Sequence, residues 1–239
     1  MEKLRARLNE LISELEDADD VFERLSELTS VYPFNEYEYM ISTLLGRAKL
    51  SLDEYYELRD EYIARNLYLY VFEISAPRGF GEAWAQGHLK ELVPELVKPS
   101  KKLDPDYSGD YDFYLDNSIR VEVKASRAVA FRTDEPLYVK ALSSDSSEQF
   151  DMNFQQVKCK CCDVFIWVAV WRDLIRYWIL NSRELEANRY FSTGQHRGNV
   201  GEGQLHMNRD NINEFAQYEA RPRELLEAIR SAYQRLGNT

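Results

Sequence analysis

A chain of 239 residues, 44% hydrophobic and 13% aromatic, suits one large domain or a domain with an appendage, and is too aromatic for a disordered polymer. Its 41 acidic against 30 basic side chains, a formal charge of −11, count against a general nucleic-acid binder, whose domains are usually basic. The longest apolar run, Val164 to Trp171, falls far short of the ~20 residues of a membrane helix. The opening MEKLRARLNELI lacks the apolar stretch of a signal peptide. The three cysteines lie within Cys159 to Cys162 and make no disulfide framework, so a cytoplasmic protein without a membrane partner is expected.

The charge is uneven. Residues 1–60 hold 15 acidic and 7 basic side chains, whereas residues 61–239 hold 26 and 23. Arg120, Lys124, Arg127, Arg132 and Lys140 gather in one stretch, and one basic surface on a nearly neutral body suffices to dock a polyanion.

Along the chain, Leu4, Leu8, Leu11, Leu15, Phe22 and Leu25 follow 4-3 spacing with Ala18 between, which predicts an N-terminal helix. Its apolar stripe faces either the core or the seam of a dimer. Ser51-Leu52-Asp53-Glu54 has the form of a capping box opening a helix from Leu52 to about Ala64. Pro77-Arg78-Gly79-Phe80-Gly81 breaks the pattern, and a further helix is predicted from Glu82 to about Val93, before Pro94. Tyr111 to Leu115 and Ile119 to Ala125 then alternate as strands around the turn Asp116-Asn117-Ser118. Phe150 to Lys158 is predicted as a short helix, Val164 to Trp171 as a buried strand and Ile175 to Leu180 as its neighbour. A Gly-, Asn- and Gln-rich loop from Ser192 to Asn211 precedes a last helix from about Pro222 to Leu236. The order predicts an α/β fold with a mixed central sheet flanked by helices and a helical N-terminal extension. Residues 1–76 form the helical region, for packing or dimerisation, and residues 77–239 the core.

The chemistry is concentrated in the hairpin. With a three-residue loop at Asp116 to Ser118, residue 115 faces 119 and residue 112 faces 122. Glu122 and Lys124 share a face by the period of two, so Asp112, Glu122 and Lys124 converge while Val121 and Val123 point into the core. Two carboxylates and an ammonium on one face suit Mg²⁺, a hard cation that takes one or two protein carboxylates plus substrate phosphate. Such an ion activates water for phosphodiester hydrolysis. The bland alternative is an amphipathic hairpin with a solvated charged face.

Asp112, nine intervening residues and then Glu122-Val123-Lys124 resemble the PD-(D/E)XK nuclease superfamily, best represented by type II restriction endonucleases. The resemblance extends loosely over the flanking elements, with Leu96 to Leu103 as the remaining strand. It implies a restriction-endonuclease-like core and a Mg²⁺-dependent enzyme cutting double-stranded DNA at a specific sequence as a homodimer. Asp112, Glu122 and the Val123 backbone carbonyl would hold the metal, and Lys124 would assist the attacking water. Glu82, on the preceding helix, is the candidate additional ligand. The residue before Asp112 is Tyr111 and not Pro; the letters Pro-Asp occur at Pro105-Asp106, so Asp106 and Asp110 compete for the first acid. A repair or junction-resolving nuclease, or a non-catalytic module binding nucleic acid or protein, is the alternative reading.

Given a nuclease, Arg127, Arg132, Gln155, Gln195, His196, Arg197, Asn199, Gln204 and Arg209 are candidate DNA contacts, because guanidinium and amide groups read base edges. An ordinary surface loop and a polar helix face are the alternatives. Cys159-Lys160-Cys161-Cys162 lacks the second pair a zinc site needs. His196, Asn199 and His206 lie too close together for an HNH nuclease, and Gly201-Glu202-Gly203 is too short for a phosphate loop.

Overall fold

The computed structural model describes residues 2–27, 36–68, 71, 84–131, 133–135, 137–194 and 202–237. The chain opens with helices α1 (Glu2–Ser13), α2 (Ala18–Glu27), α3 (Glu36–Gly46) and α4 (Leu52–Arg65). The predicted stripe is thus cut in two: residues 14–17 turn, and α2 restarts with Asp19 and Asp20 in its first turn, where the helix dipole favours carboxylates. Leu4, Leu8 and Leu15 are buried against Tyr37, Met40, Ile41, Leu44, Leu58 and Tyr62, joined by Ile12 and Val21, which the 4-3 pattern did not include. Phe22 stays 37% exposed. The buried leucines are therefore core, not seam.

Leu8 is wholly buried, so Leu8→Ala is expected to cost about 2–5 kcal/mol by lost burial and an unfilled cavity. Leu8→Glu with Leu15→Glu should unfold this layer. Denaturant titration followed by circular dichroism checks both. An unchanged midpoint for Leu8→Ala would mean that the helical layer packs differently.

The predicted capping box is present. Ser51 Oγ accepts the Glu54 N–H at 3.3 Å and Glu54 Oε2 accepts the Ser51 N–H at 2.8 Å. Helix α5 (Gln86–Leu92) covers the last part of the segment predicted from Glu82; Glu82 itself and the 76/77 boundary lie outside the described residues.

Next come β1 (Phe113–Leu115), β2 (Ile119–Arg127), β3 (Val129–Ala130), the short α6 (Leu137–Lys140), β4 (Phe150–Val157), β5 (Val164–Val170) and β6 (Ile175–Asn181). They are followed by α7 (Ser182–Glu186), β7 (Phe191–Thr193), β8 (Gly203–Asn208), β9 (Glu219–Ala220) and α8 (Leu225–Gly237). One sheet has the order β1-β2-β5-β6-β9, with β2 and β5 parallel and the other pairs antiparallel; a second, antiparallel sheet has the order β3-β4-β8-β7. The protein is α/β, with a mixed five-stranded sheet and a four-stranded one flanked by helices.

The five-stranded sheet is buried on both faces, which is why β5 reads as an unbroken apolar run. Val121, Val123, Ile166, Val168 and Ile179 face Leu89 of α5 and Leu225 and Ile229 of α8. Phe165, Trp167, Ala169 and Trp178 face the second sheet through Phe150, Met152, Phe154, Leu205 and Met207.

Three sequence expectations fail here. Phe150–Val157 is a strand and not a helix: Phe150, Met152 and Phe154 are buried while Asp151 and Asn153 are half-buried, a period of two. Asn and Gln hid that alternation, and pairing with β8 decides it. Gln155 and Gln156 sit at an irregularity in that ladder, exposed, with Gln156 at φ +56°. The segment from Ser192 to Asn211, expected to be loop, contributes β7 and β8, and Gly203 is required there because a Cβ would lie 2.6 Å from the Ser192 carbonyl oxygen as well as against the Phe191 ring. Leu96 to Leu103 is no strand: it makes a single bridge, Val97 to Tyr114, before Pro99 and a turn at 101–103.

Among the described residues, no helix is long and apolar enough to cross a membrane. The three cysteines are free, with Cys162 buried at the entrance to β5.

Candidate active site

The β1–β2 hairpin has the register read from the sequence: Leu115 pairs with Ile119, Tyr114 with Arg120 and Phe113 with Val121. Asp116 and Asn117 take positive φ, a conformation their short polar side chains tolerate. Arg230 of α8 clamps the turn through Asp116 Oδ2 at 2.8 Å.

Beyond Phe113 the strands part. The Asp112 N–H still reaches the Val121 carbonyl at 3.0 Å. Val123 has the parity of Ile119 and Val121, so its N–H points towards β1, where the chain has left the ladder. Asp112 Oδ2 accepts that N–H at 2.9 Å, a side chain standing in for the missing strand. By the same parity the Val123 carbonyl points to this side.

Glu122 and Lys124 lie on the opposite face from Val121 and Val123, in register with Phe165 and Trp167 of β5. Lys124 Nζ is 2.7 Å from Glu122 Oε1. Glu122 is only 9% exposed, and burial followed by repulsion from Asp112 pushes its carboxyl up to about 7, with Lys124 opposing. Asp112 is raised too, first by burial, against the Val123 N–H and the charges of Lys124 and Lys98. Two carboxyls face each other in a poorly solvated corner.

The sequence did not single out the groups behind Asp112. Gln86, the first residue of α5, donates from Nε2 to Asp112 Oδ1, and Lys98 donates to Gln86 Oε1. Gln86 fell within the predicted helix, four residues past Glu82, but an amide carries no metal-site signal. Nor did any motif mark Asp104, which is 4% exposed and accepts from Arg120 Nε at 2.9 Å and Tyr111 at 2.7 Å. That hydrogen bond from Tyr111 is the first cause holding its carboxyl below the usual range.

The competing acids are exposed and make other contacts. The Asp106 side chain is 89% exposed and 3.9 Å from Arg120, and exposed Asp110 accepts from Ser108. Among the described residues, the predicted basic cluster does not form a free cationic surface. Arg120 and Lys124 are paired as above, Lys140 Nζ donates to the Thr133 carbonyl at 3.3 Å, and Arg127, 8% exposed, donates to the Val71 carbonyl at 3.0 Å. Strand alternation separates them, sending Arg127 to the face opposite Lys124.

Arg209 donates to the Ser146 carbonyl at 2.7 Å, so it buttresses the second sheet, and Gln204 of β8 accepts from Asn153 at 3.2 Å. Gln155 is exposed on β4. Arg132, Gln195, His196, Arg197 and Asn199 lie outside the described residues.

Among the described residues no group of three or more His, Cys, Asp and Glu side chains is placed to hold a metal. The hairpin offers two carboxylates and a main-chain carbonyl, a set that suits Mg²⁺, which keeps several waters. Two repelling carboxyls, with Lys124 paired to one of them, leave negative charge that a divalent cation would offset.

No family profile matches the chain, and no curated protein is significantly similar to it.

Proposed function

We propose that the chain is a Mg²⁺-dependent endodeoxyribonuclease of the restriction type, a cytoplasmic hydrolase of double-stranded DNA acting as a homodimer. The observation that carries the reading is the convergence of Asp112, Glu122 and Lys124 at the point where β1 leaves β2.

Asp112, Glu122 and the Val123 carbonyl would hold Mg²⁺, which when bound lowers the pKa of water and offsets charge at the scissile phosphate. Lys124, on the same face, donates hydrogen bonds that orient the attacking water or the phosphate oxygen. Water oxygen attacks phosphorus, a P–O ester bond breaks, and the leaving oxygen takes a proton. Phe165 and Trp167 flank Glu122 and Lys124 in register, and this apolar wall strengthens each charge interaction.

Digestion of a mapped plasmid with Mg²⁺, followed by sequencing of the ends, tests the reading. Discrete fragments are expected. Random nicks would remove the restriction type, and an intact plasmid under all divalent cations would remove the nuclease.

A further inference from the structure

Asp112 is gripped from two layers at once, and its second grip has a built-in direction. Val123 of β2 donates to Oδ2 at 2.9 Å, while Gln86 of α5 donates to Oδ1. A glutamine amide has one accepting and one donating end, and either orientation fits the same space. Here the choice is forced. Lys98 carries only donors, so the amide end beside it must be Oε1, and Nε2 therefore faces the carboxylate. Lys98 is itself held, its ammonium lying 4.6 Å from the centre of the Phe113 ring next to Asp112 in sequence. The result is a continuous arm from strand to helix and back: Phe113, Lys98, Gln86, Asp112, Val123. An amide suits the place, because a glutamate would add a third negative charge to a corner that already holds two.

We infer that Gln86 and Lys98 are positioning residues for Asp112, the lysine fixing the amide's orientation and the amide fixing the carboxylate for a divalent cation. The inference rests on the nuclease reading of the site, where the carboxylate's orientation sets cation affinity. Partners that orient a metal-binding carboxylate are commonly worth about 10–100-fold in affinity.

The test uses the full chain, labelled with ¹⁵N-glutamine and free of metal, so that it does not depend on catalysis. The Gln86 side-chain amide is expected to exchange slowly with solvent, to shift in Asp112→Asn, and to lose its single orientation in Lys98→Met. Calorimetry with Ca²⁺ is expected to show binding abolished in Asp112→Asn and weakened at least about tenfold in Gln86→Met and in Lys98→Met. Lys98 is exposed, so its substitution should leave the fold intact. A Gln86 signal that ignores Asp112→Asn and Lys98→Met overturns the inference. Ca²⁺ binding lost in Asp112→Asn but unchanged in Gln86→Met and Lys98→Met also overturns it, and leaves the nuclease reading standing. Unchanged binding in all three overturns the nuclease reading, and this inference with it.

Discussion

Asp112→Asn and Lys124→Ala are each expected to lose Mg²⁺-dependent cleavage by orders of magnitude while keeping the fold and the affinity for duplex DNA. The asparagine retains an oxygen that can accept the Val123 N–H, now met at 2.9 Å, so the parting of β1 and β2 survives. What it loses is a charge at the proposed cation site. Removing one charge-stabilising group typically raises a barrier by about 3–4 kcal/mol. Lys124→Ala leaves both carboxyls in place but removes the ammonium 2.7 Å from Glu122. Duplex affinity, measured with Ca²⁺ in place of Mg²⁺, should hold in both, because Asp112→Asn also removes repulsion towards phosphate. Asp106→Asn is the control; its side chain is 89% exposed and meets Arg120 at 3.9 Å. If Asp106→Asn stopped cleavage and Asp112→Asn did not, the acid would have been assigned to the wrong aspartate. Full activity in both Asp112→Asn and Lys124→Ala would remove the hairpin from catalysis.

The second large effect is a stability that falls as pH rises, reversed by Mg²⁺. Burial and Asp112 raise the Glu122 carboxyl to about 7 in the fold, against about 4.3 in an unfolded chain. Between those values the native protein holds the proton that the unfolded chain has released, so stability declines with increasing pH. Below the lower value the penalty is absent, and above the higher one it is complete, on the order of 4 kcal/mol for this group. Asp112 is shifted in the same direction and adds to the trend. Glu122→Gln should therefore melt with the native protein at pH 4 and above it at pH 8. A cation that binds the two ionised carboxylates stabilises only once they have lost their protons. Mg²⁺ should then raise the melting temperature at pH 8, do little at pH 5, and do nothing for Glu122→Gln. Parallel melting curves for the two proteins across this range would show that the Glu122 proton is not linked to folding. A Mg²⁺ effect independent of pH would place the cation elsewhere.

The features legible in one dimension are those encoded by near neighbours in the chain. The hairpin register followed from a short Asp-Asn-Ser turn and from alternation, both set by neighbours in the chain, and so the convergence of Asp112, Glu122 and Lys124 was legible. So were the capping box at Ser51 and the buried strand β5, since an N-cap and an unbroken apolar run carry their signals within a few residues. Tertiary structure decided what depends on a distant partner. Phe150–Val157 became a strand because β8, a distant segment of the chain, supplied its hydrogen bonds, overriding a polar pattern that reads locally as helix. Arg127 went inside because odd positions of β2 face the core and the Val71 carbonyl waits there, so a basic letter gave no guide to a basic surface. The grip of Gln86 and Lys98 on Asp112 joins a helix to a hairpin 26 residues further along the chain. No spacing in one dimension encodes it, because hydrogen-bond partners are chosen by packing and not by proximity along the chain.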